Sequence, residues 1–304
     1  MRLDATALDP RGQRETAMTI RTMLVGASGG SASDGAIGLA CRLAARFGAH
    51  LEGYHVKADP TEVIMAASAG DVGMPTDGAW IDQMAEDADR LAATTKASLL
   101  ARAGQHGLTE AAEPPHAGAT VGWRDVAGRA PELIAARARF FDLVVLGRSD
   151  RVIDLPSTDV IEETLLRSGR PILLAPATVP AAMGQTVAIG WDGSVPSVRA
   201  LAAARPMLLE AKRVVMITVG DKPEADTPAA CDYLRWHGLG CESDIVPAVS
   251  GVGDGEQLLA TARDVGADLL VMGAYGHSGW REMLFGGATR TVVESSLLPV
   301  LLTH

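Results

Sequence analysis

Aromatic residues are scarce: five Trp, three Tyr and four Phe make up 4% of 304 residues, although 47% of the chain is hydrophobic. Ala, Val, Leu and Gly must therefore fill the core, as they do where helices cover a parallel sheet. Cysteine is scarcer still. Cys41, Cys231 and Cys241 are too few and too dispersed for a disulfide framework or a zinc pattern, and they read as reduced thiols packed in the core. No apolar run reaches the roughly 20 residues that span a bilayer. The first 20 residues hold Asp4, Asp9, Arg11, Arg14 and Glu15, which excludes the apolar segment of a signal peptide, so a cytoplasmic location is expected. Basic charge gathers nowhere: 27 Lys and Arg stand against 37 Asp and Glu, a net −10. A nucleic-acid partner needs a concentrated basic face to displace counterions, and none is present. No lysine follows a glycine-rich loop as in Walker A, and no serine sits in a nucleophile elbow. The seven histidines do not cluster at ligand spacing, so neither a catalytic residue nor a protein-built metal site is expected.

What the chain does have is length for two domains and an alternation of strands and helices. In the first part, strand patterns at 22–27, 50–56, 141–147 and 171–176 alternate with helical periodicity at 34–47, 79–105, 132–139 and 159–168. Ser33 or Asp34 is the expected cap of the first helix, and Gly48 its end. Residues 57–77 read as a long connection, and Pro114 and Pro115 interrupt regular structure. The second part restarts with strands at 186–192, 213–219, 241–246, 268–273 and 298–302 and helices at 196–210, 227–237, 253–265 and 288–296.

The restart is an internal repeat. Residues 141–147 (FDLVVLG) parallel 267–273 (ADLLVMG), and 170–174 (RPILL) parallel 298–302 (LPVLL). The expected organisation is an N-terminal disordered tail (1–20), a first domain (21–177), a linker (178–184) and a second domain (185–304). Each domain is expected to be a doubly wound, five-stranded parallel-sheet α/β unit of Rossmann-like kind. The final strands of the halves, as apolar edges, are the natural contact in a pseudo-dimer, with homodimers as a further prospect.

Between the strand at 268–273 and the helix from 288 lies a glycine-rich loop with Gly273, Gly276, Gly286 and Gly287. A strand feeding glycines and a helix start leaves N–H groups unpaired and the positive end of the helix dipole outward, which suits phosphate. The same glycines also serve as ordinary turn residues, and Asp192, Gly193 and Ser194 as an ordinary strand-to-helix turn capped by Ser194. In the first half the corresponding places hold Asp150, Thr158 and Asp159 instead of glycines. That half is therefore expected not to bind a nucleotide in the same way.

On Gly273-x2-Gly276-x9-Gly286 and Asp192-Gly193-Ser194, in this order within a repeated α/β chain, the sequence resembles tandem universal stress proteins from Arg21 to His304. The resemblance implies the universal stress protein fold and a cytoplasmic stress-response protein binding ATP, ADP or AMP, with Mg²⁺ as the accompanying ion, in its second domain. It implies that Asp192 reaches the ribose or adenine, that the Val219 backbone meets the adenine edge, and that Gly273 and Gly276 lie along ribose and phosphates. Gly286 would present its N–H to the phosphate tail. Gly287 stands where the family usually has Ser, Thr or Asn, so its N–H remains while a hydroxyl is lost; Thr289 is a substitute half a turn later. Ala288, His277 and Ser278 complete the candidate nucleotide contacts. Arg281 and Arg290 could neutralise phosphate, although Arg290 and Glu294 are also spaced for a helical salt bridge. Trp191 and Trp280 serve as base-stacking or packing residues. The protein would act as a nucleotide-dependent regulator, ordering 275–285 on binding and so changing a surface offered to protein partners. The alternatives are a slow ATPase or phosphotransferase and a nucleotide-free scaffold or chaperone-like protein.

Overall fold

The computed structural model describes residues 19–57, 78–111, 113–114, 118–148, 158–178, 180, 182–274 and 287–304. The first half contributes β1 (Thr22–Gly26), α1 (Gly30–Phe47), β2 (His50–Lys57), α2 (Gly78–Gln105), β3 (Thr109–Glu110), β4 (Thr120–Ala127), α3 (Ala130–Ala138), β5 (Leu143–Gly147), α4 (Thr158–Arg167) and β6 (Ile172–Ala175). The second contributes β7 (Thr186–Gly190), α5 (Val195–Leu208), β8 (Arg213–Val219), a 3₁₀ turn at Pro223–Ala225, α6 (Thr227–Trp236), β9 (Glu242–Val246), α7 (Asp254–Asp264), β10 (Leu269–Gly273), α8 (Gly287–Ser295) and β11 (Val300–Thr303).

All described strands join one sheet in the order β3-β4-β2-β1-β5-β6-β11-β10-β7-β8-β9. Every pairing is parallel except β6 with β11, where Val300, Leu301 and Leu302 face Leu174, Leu173 and Ile172 across an antiparallel ladder. The sheet is continuous because the last strand of each half is fully buried and finds its missing neighbour in the other half. Strand residues alternate between two apolar cores, one per face. Met23, Val25, Leu173, Val271 and Leu301 lie in one, and Leu24, Leu174, Leu270, Val300 and Leu302 in the other. Both cores thus cross the junction between the halves.

The repeat explains itself in three dimensions. Asp142, before β5, accepts hydrogen bonds from the N–H groups of Arg21 (2.9 Å) and Thr22 (3.0 Å). Asp268, before β10, accepts from those of Gly184 (2.8 Å), Gln185 (3.0 Å) and Thr186 (3.2 Å). In each half a carboxylate pins the start of the first strand, with the charge-assisted geometry that makes such contacts strong.

Three expectations need correcting. Helix α1 begins a turn before Ser33 and Asp34. Gly29 and Gly30, at φ 84° and 83°, make the sharp entry that a residue with Cβ resists, and Ser33 is buried inside the helix. Strand β4 was not legible in the sequence. It pairs with β2 over eight positions, from His50 opposite Thr120 to Lys57 opposite Ala127. Its charges find partners across the strands, Arg124 with Glu52 (3.8 Å) and Asp125 with Lys57 (3.0 Å). Finally, Cys231 and Cys241 are not reduced thiols but a disulfide. Gly238, at φ 75°, helps turn the chain back after α6, bringing their Cα atoms to 5.4 Å. Cys41 alone remains free and buried, and burial pushes its thiol up to about 12, so it stays protonated.

Candidate functional site

The sheet of the second half switches direction between β7, which leads on to β8, and β10. A cleft of about 500 Å³ opens there at the carboxyl ends of these strands. This is where doubly wound folds hold ligands. Ile217, Val219, Leu258 and Met272 give the cleft an apolar wall, and Asp192, Lys222 and Asp254 its charges. Gly190, Gly273 and Ala288 line it with little or no side chain.

Each of these is placed by local chemistry. Strand β7 ends at Gly190, and the indole N–H of Trp191 donates to the carbonyl of Ala225, locking the ring against the 3₁₀ turn. That contact and 9% exposure assign Trp191 to packing, with its edge on the cleft. Asp192 Oδ1 accepts from the Ser194 N–H (3.0 Å), which fixes the carboxylate in an Asx turn. Ser194 caps α5, its Oγ accepting from the Ser197 N–H at 3.3 Å. The turn at Gly193 has φ 75°, and a Cβ there would stand 2.7 Å from the Glu224 carbonyl. The 3₁₀ turn therefore packs directly on the wall that carries Asp192. Val219 closes β8, opposite Val246, and the next N–H, of Gly220, donates to the Val246 carbonyl at 2.8 Å.

Gly273 lines the cleft, but its missing Cβ serves a different purpose from the one the sequence suggests. A Cβ at Gly273 would fall on the backbone of Pro196 and Ser197, so glycine lets the first turn of α5 lie against the end of β10. Likewise Gly255, in the first turn of α7, leaves room for α8: a Cβ there would lie 2.6 Å from the Ala288 carbonyl. Helix α8 thus has its first turn set against α7, with Ala288 on the cleft. Among the described residues nothing lies within 4 Å of where a Cβ at Gly287 would stand.

The sequence-chosen residues Asp192, Val219, Gly273 and Ala288 come together in this cleft. Gly287 begins α8 beside them without lining it, and Thr289, buried at 5% exposure, does not line it either. Arg290 is engaged with Glu294 at 2.8 Å, the helical salt bridge. Gly276, His277, Ser278, Gly286, Trp280 and Arg281 lie outside the described residues, as does the connection 58–77. Sequence reasoning missed Lys222 and Asp254, which form an ion pair at 3.0 Å on the cleft. The available signal was Asp254 opening an amphipathic helix; nothing marked Lys222, in a short turn 32 positions earlier. Among the described residues no group of three His, Cys, Asp or Glu could hold a metal ion.

The first half has a counterpart cleft of about 300 Å³. The strand registers align the two, Gly26 facing Tyr54 as Gly190 faces Ile217. Ser28 stands in the place of Asp192, Ala130 in that of Asp254 and the larger Tyr54 in that of Ile217. Among the described residues its lining carries no charged side chain.

Residues 242–304 match the model of the universal stress protein family. A universal stress protein from Archaeoglobus fulgidus DSM 4304 shares the fold, with TM-score 0.68 and 16% identity, covering 94% of this chain and 97% of its own. A structure from Pseudomonas aeruginosa UCBPP-PA14, named for the same family, gives TM-score 0.53 at 16% identity over 93% of each chain. A universal stress protein in complex with cAMP is 25% identical over 40% of this chain and 97% of its own, at TM-score 0.32. No curated protein matches the sequence. The resemblance to tandem universal stress proteins is thereby borne out: the family signature lies in the second half, and the fold extends over nearly the whole chain.

Proposed function

We propose that the cleft of the second half binds an adenine nucleotide, ATP, ADP or AMP, and that the protein is a nucleotide-dependent regulator of a stress response in the cytoplasm. The observation that carries this reading is the convergence of Asp192, Val219, Gly273 and Ala288 at the end of one parallel sheet. Asp192, held by its Asx turn, accepts from a ribose hydroxyl. The backbone closing β8 at Val219 offers the adenine edge its hydrogen-bonding groups, and Ile217, Leu258 and Met272 pack on the base. The first turn of α8, at Gly287 and Ala288, would offer its N–H groups and the positive end of the helix dipole to phosphate. Mg²⁺ would accompany the phosphates and screen their charge. The first half, whose smaller cleft is uncharged among the described residues, serves as the structural partner that completes the sheet.

Mass spectrometry of what freshly purified protein releases on denaturation, with titration calorimetry against ATP, ADP and AMP, tests the proposal. Asp192→Ala is expected to weaken binding about 10-fold or more, as loss of a charge-assisted hydrogen bond does. Release of flavin or coenzyme A derivatives only, or no response to millimolar nucleotide, would sink it. Steady ADP release abolished by Gly276→Asp would add an ATPase to the reading.

A further inference from the structure

From the Lys222–Asp254 pair we infer that this ion pair is a latch that competes with the ligand's phosphates, so that Asp254 sets how strongly the cleft favours a charged nucleotide over its nucleoside. The inference rests on the adenine-nucleotide reading of the cleft and adds a determinant of specificity within it.

Lys222 is the sole cation among the described residues of the cleft, against two carboxylates, Asp192 and Asp254. Its Nζ donates to Asp254 Oδ2 at 3.0 Å, with the two side chains 23% and 49% exposed. Asp254 opens α7, and the next residue, Gly255, lies against the Ala288 backbone. Asp254, which holds the ammonium, is thus one residue from the contact with the start of α8 and shares the cleft with Ala288, and a helix start favours an anion. Asp254 is the resident anion of that neighbourhood. A neutral adenosine meets no opposition from it, whereas each added phosphate must face the Asp254 charge and compete with it for Lys222. An ordinary surface ion pair would show no dependence on the ligand's phosphates. The pair instead lies on the cleft itself, joining the turn after β8 to the first turn of α7.

The test measures affinities of the full-length protein for adenosine, AMP, ADP and ATP, in the wild type, Asp254→Asn and Lys222→Met. Asp254→Asn is expected to tighten AMP, ADP and ATP by about two- to fivefold, the scale of a partly exposed ion pair, and to leave adenosine unchanged. Lys222→Met is expected to weaken the phosphorylated ligands by a similar factor, again sparing adenosine. The gain in Asp254→Asn should shrink with added salt. Thermal melts report whether each variant is folded, with Asp254→Ser as the substitute if Asp254→Asn is not. Equal changes for adenosine and ATP, or an unchanged ATP-to-adenosine ratio, overturn the latch while leaving nucleotide binding intact. If the wild type binds none of the four ligands, the nucleotide reading fails and the latch falls with it.

Discussion

At the scale of single residues, Gly273 and Gly255 answer to packing before they answer to a ligand. Gly273 is the case in point. The resemblance assigns it to the ribose, yet the structure places the first turn of α5 where its Cβ would be. Gly273→Ala is therefore expected to destabilise the fold by about 3 kcal/mol, the upper range for overpacking, because backbone atoms at Pro196 and Ser197 cannot rotate away. Urea unfolding of the variant decides this, and a change within 0.5 kcal/mol, about the effect of an ordinary surface substitution, would refute it. Glu162 on α4 gives a pH-dependent test. Burial raises its carboxyl above the ordinary value, the neighbouring Asp159 charge adds to this, and Arg290 partly offsets both. The native state holds that proton more tightly than the unfolded chain does, so the associated stability is present at acid pH and lost as pH rises through the raised value. Glu162→Gln should raise the melting temperature at pH 7 and give no gain below about pH 4, where the unfolded carboxyl is also protonated.

At the scale of elements, α6 and β9 are tied by Cys231 and Cys241, which are separated by 10 positions. Closing a loop of this size in the unfolded chain gives about 2–3 kcal/mol in the chain-entropy account. Cys231→Ser should lose that amount in denaturant titration, and the wild type should lose the same on reduction. Native, unreduced protein should take up no iodoacetamide, since Cys41 is fully buried with a thiol pushed up to about 12. Labelling of two cysteines before reduction would remove the disulfide from the account. The elements themselves were largely legible. Buried strands such as β5 (LVVLG) and β10 (LLVMG) read as apolar runs, and α5 and α7 as periodic helices. Strand β4 escaped because only its first two residues are fully buried, while Gly122, Arg124 and Asp125 break the apolar pattern. Its identity depends on β2, whose Glu52 and Lys57 accommodate those charges.

At the scale of the whole molecule, the antiparallel β6–β11 junction makes two halves into one sheet. Arg46 with Glu210 (2.7 Å) and Arg42 with the Pro180 carbonyl (2.7 Å) add polar contacts along α1. A fragment of residues 185–304 would expose the β11 edge, with Val300, Leu301 and Leu302 buried in the intact protein. Light scattering after size exclusion should show it self-associating, β11 of one copy replacing β6 for another. A stable monomer at high concentration would show that the junction is dispensable.

The sequence by itself determined the repeated α/β order, the paired segments 141–147 and 267–273, the apolar runs of the buried strands, and, through the family resemblance, the choice of Asp192, Val219, Gly273 and Ala288. The order and the strands are carried by local apolar patterning, and the site residues by short motifs and the family resemblance built on them; none of these needs a distant partner to be recognised. Tertiary structure alone decided the rest: the pairing of Cys231 with Cys241, the place of β4, the reason Gly273 and Gly255 lack a side chain, and the meeting of Lys222 with Asp254. Each of those depends on two segments far apart in the chain arriving at one point, and the sequence holds no local trace of the encounter.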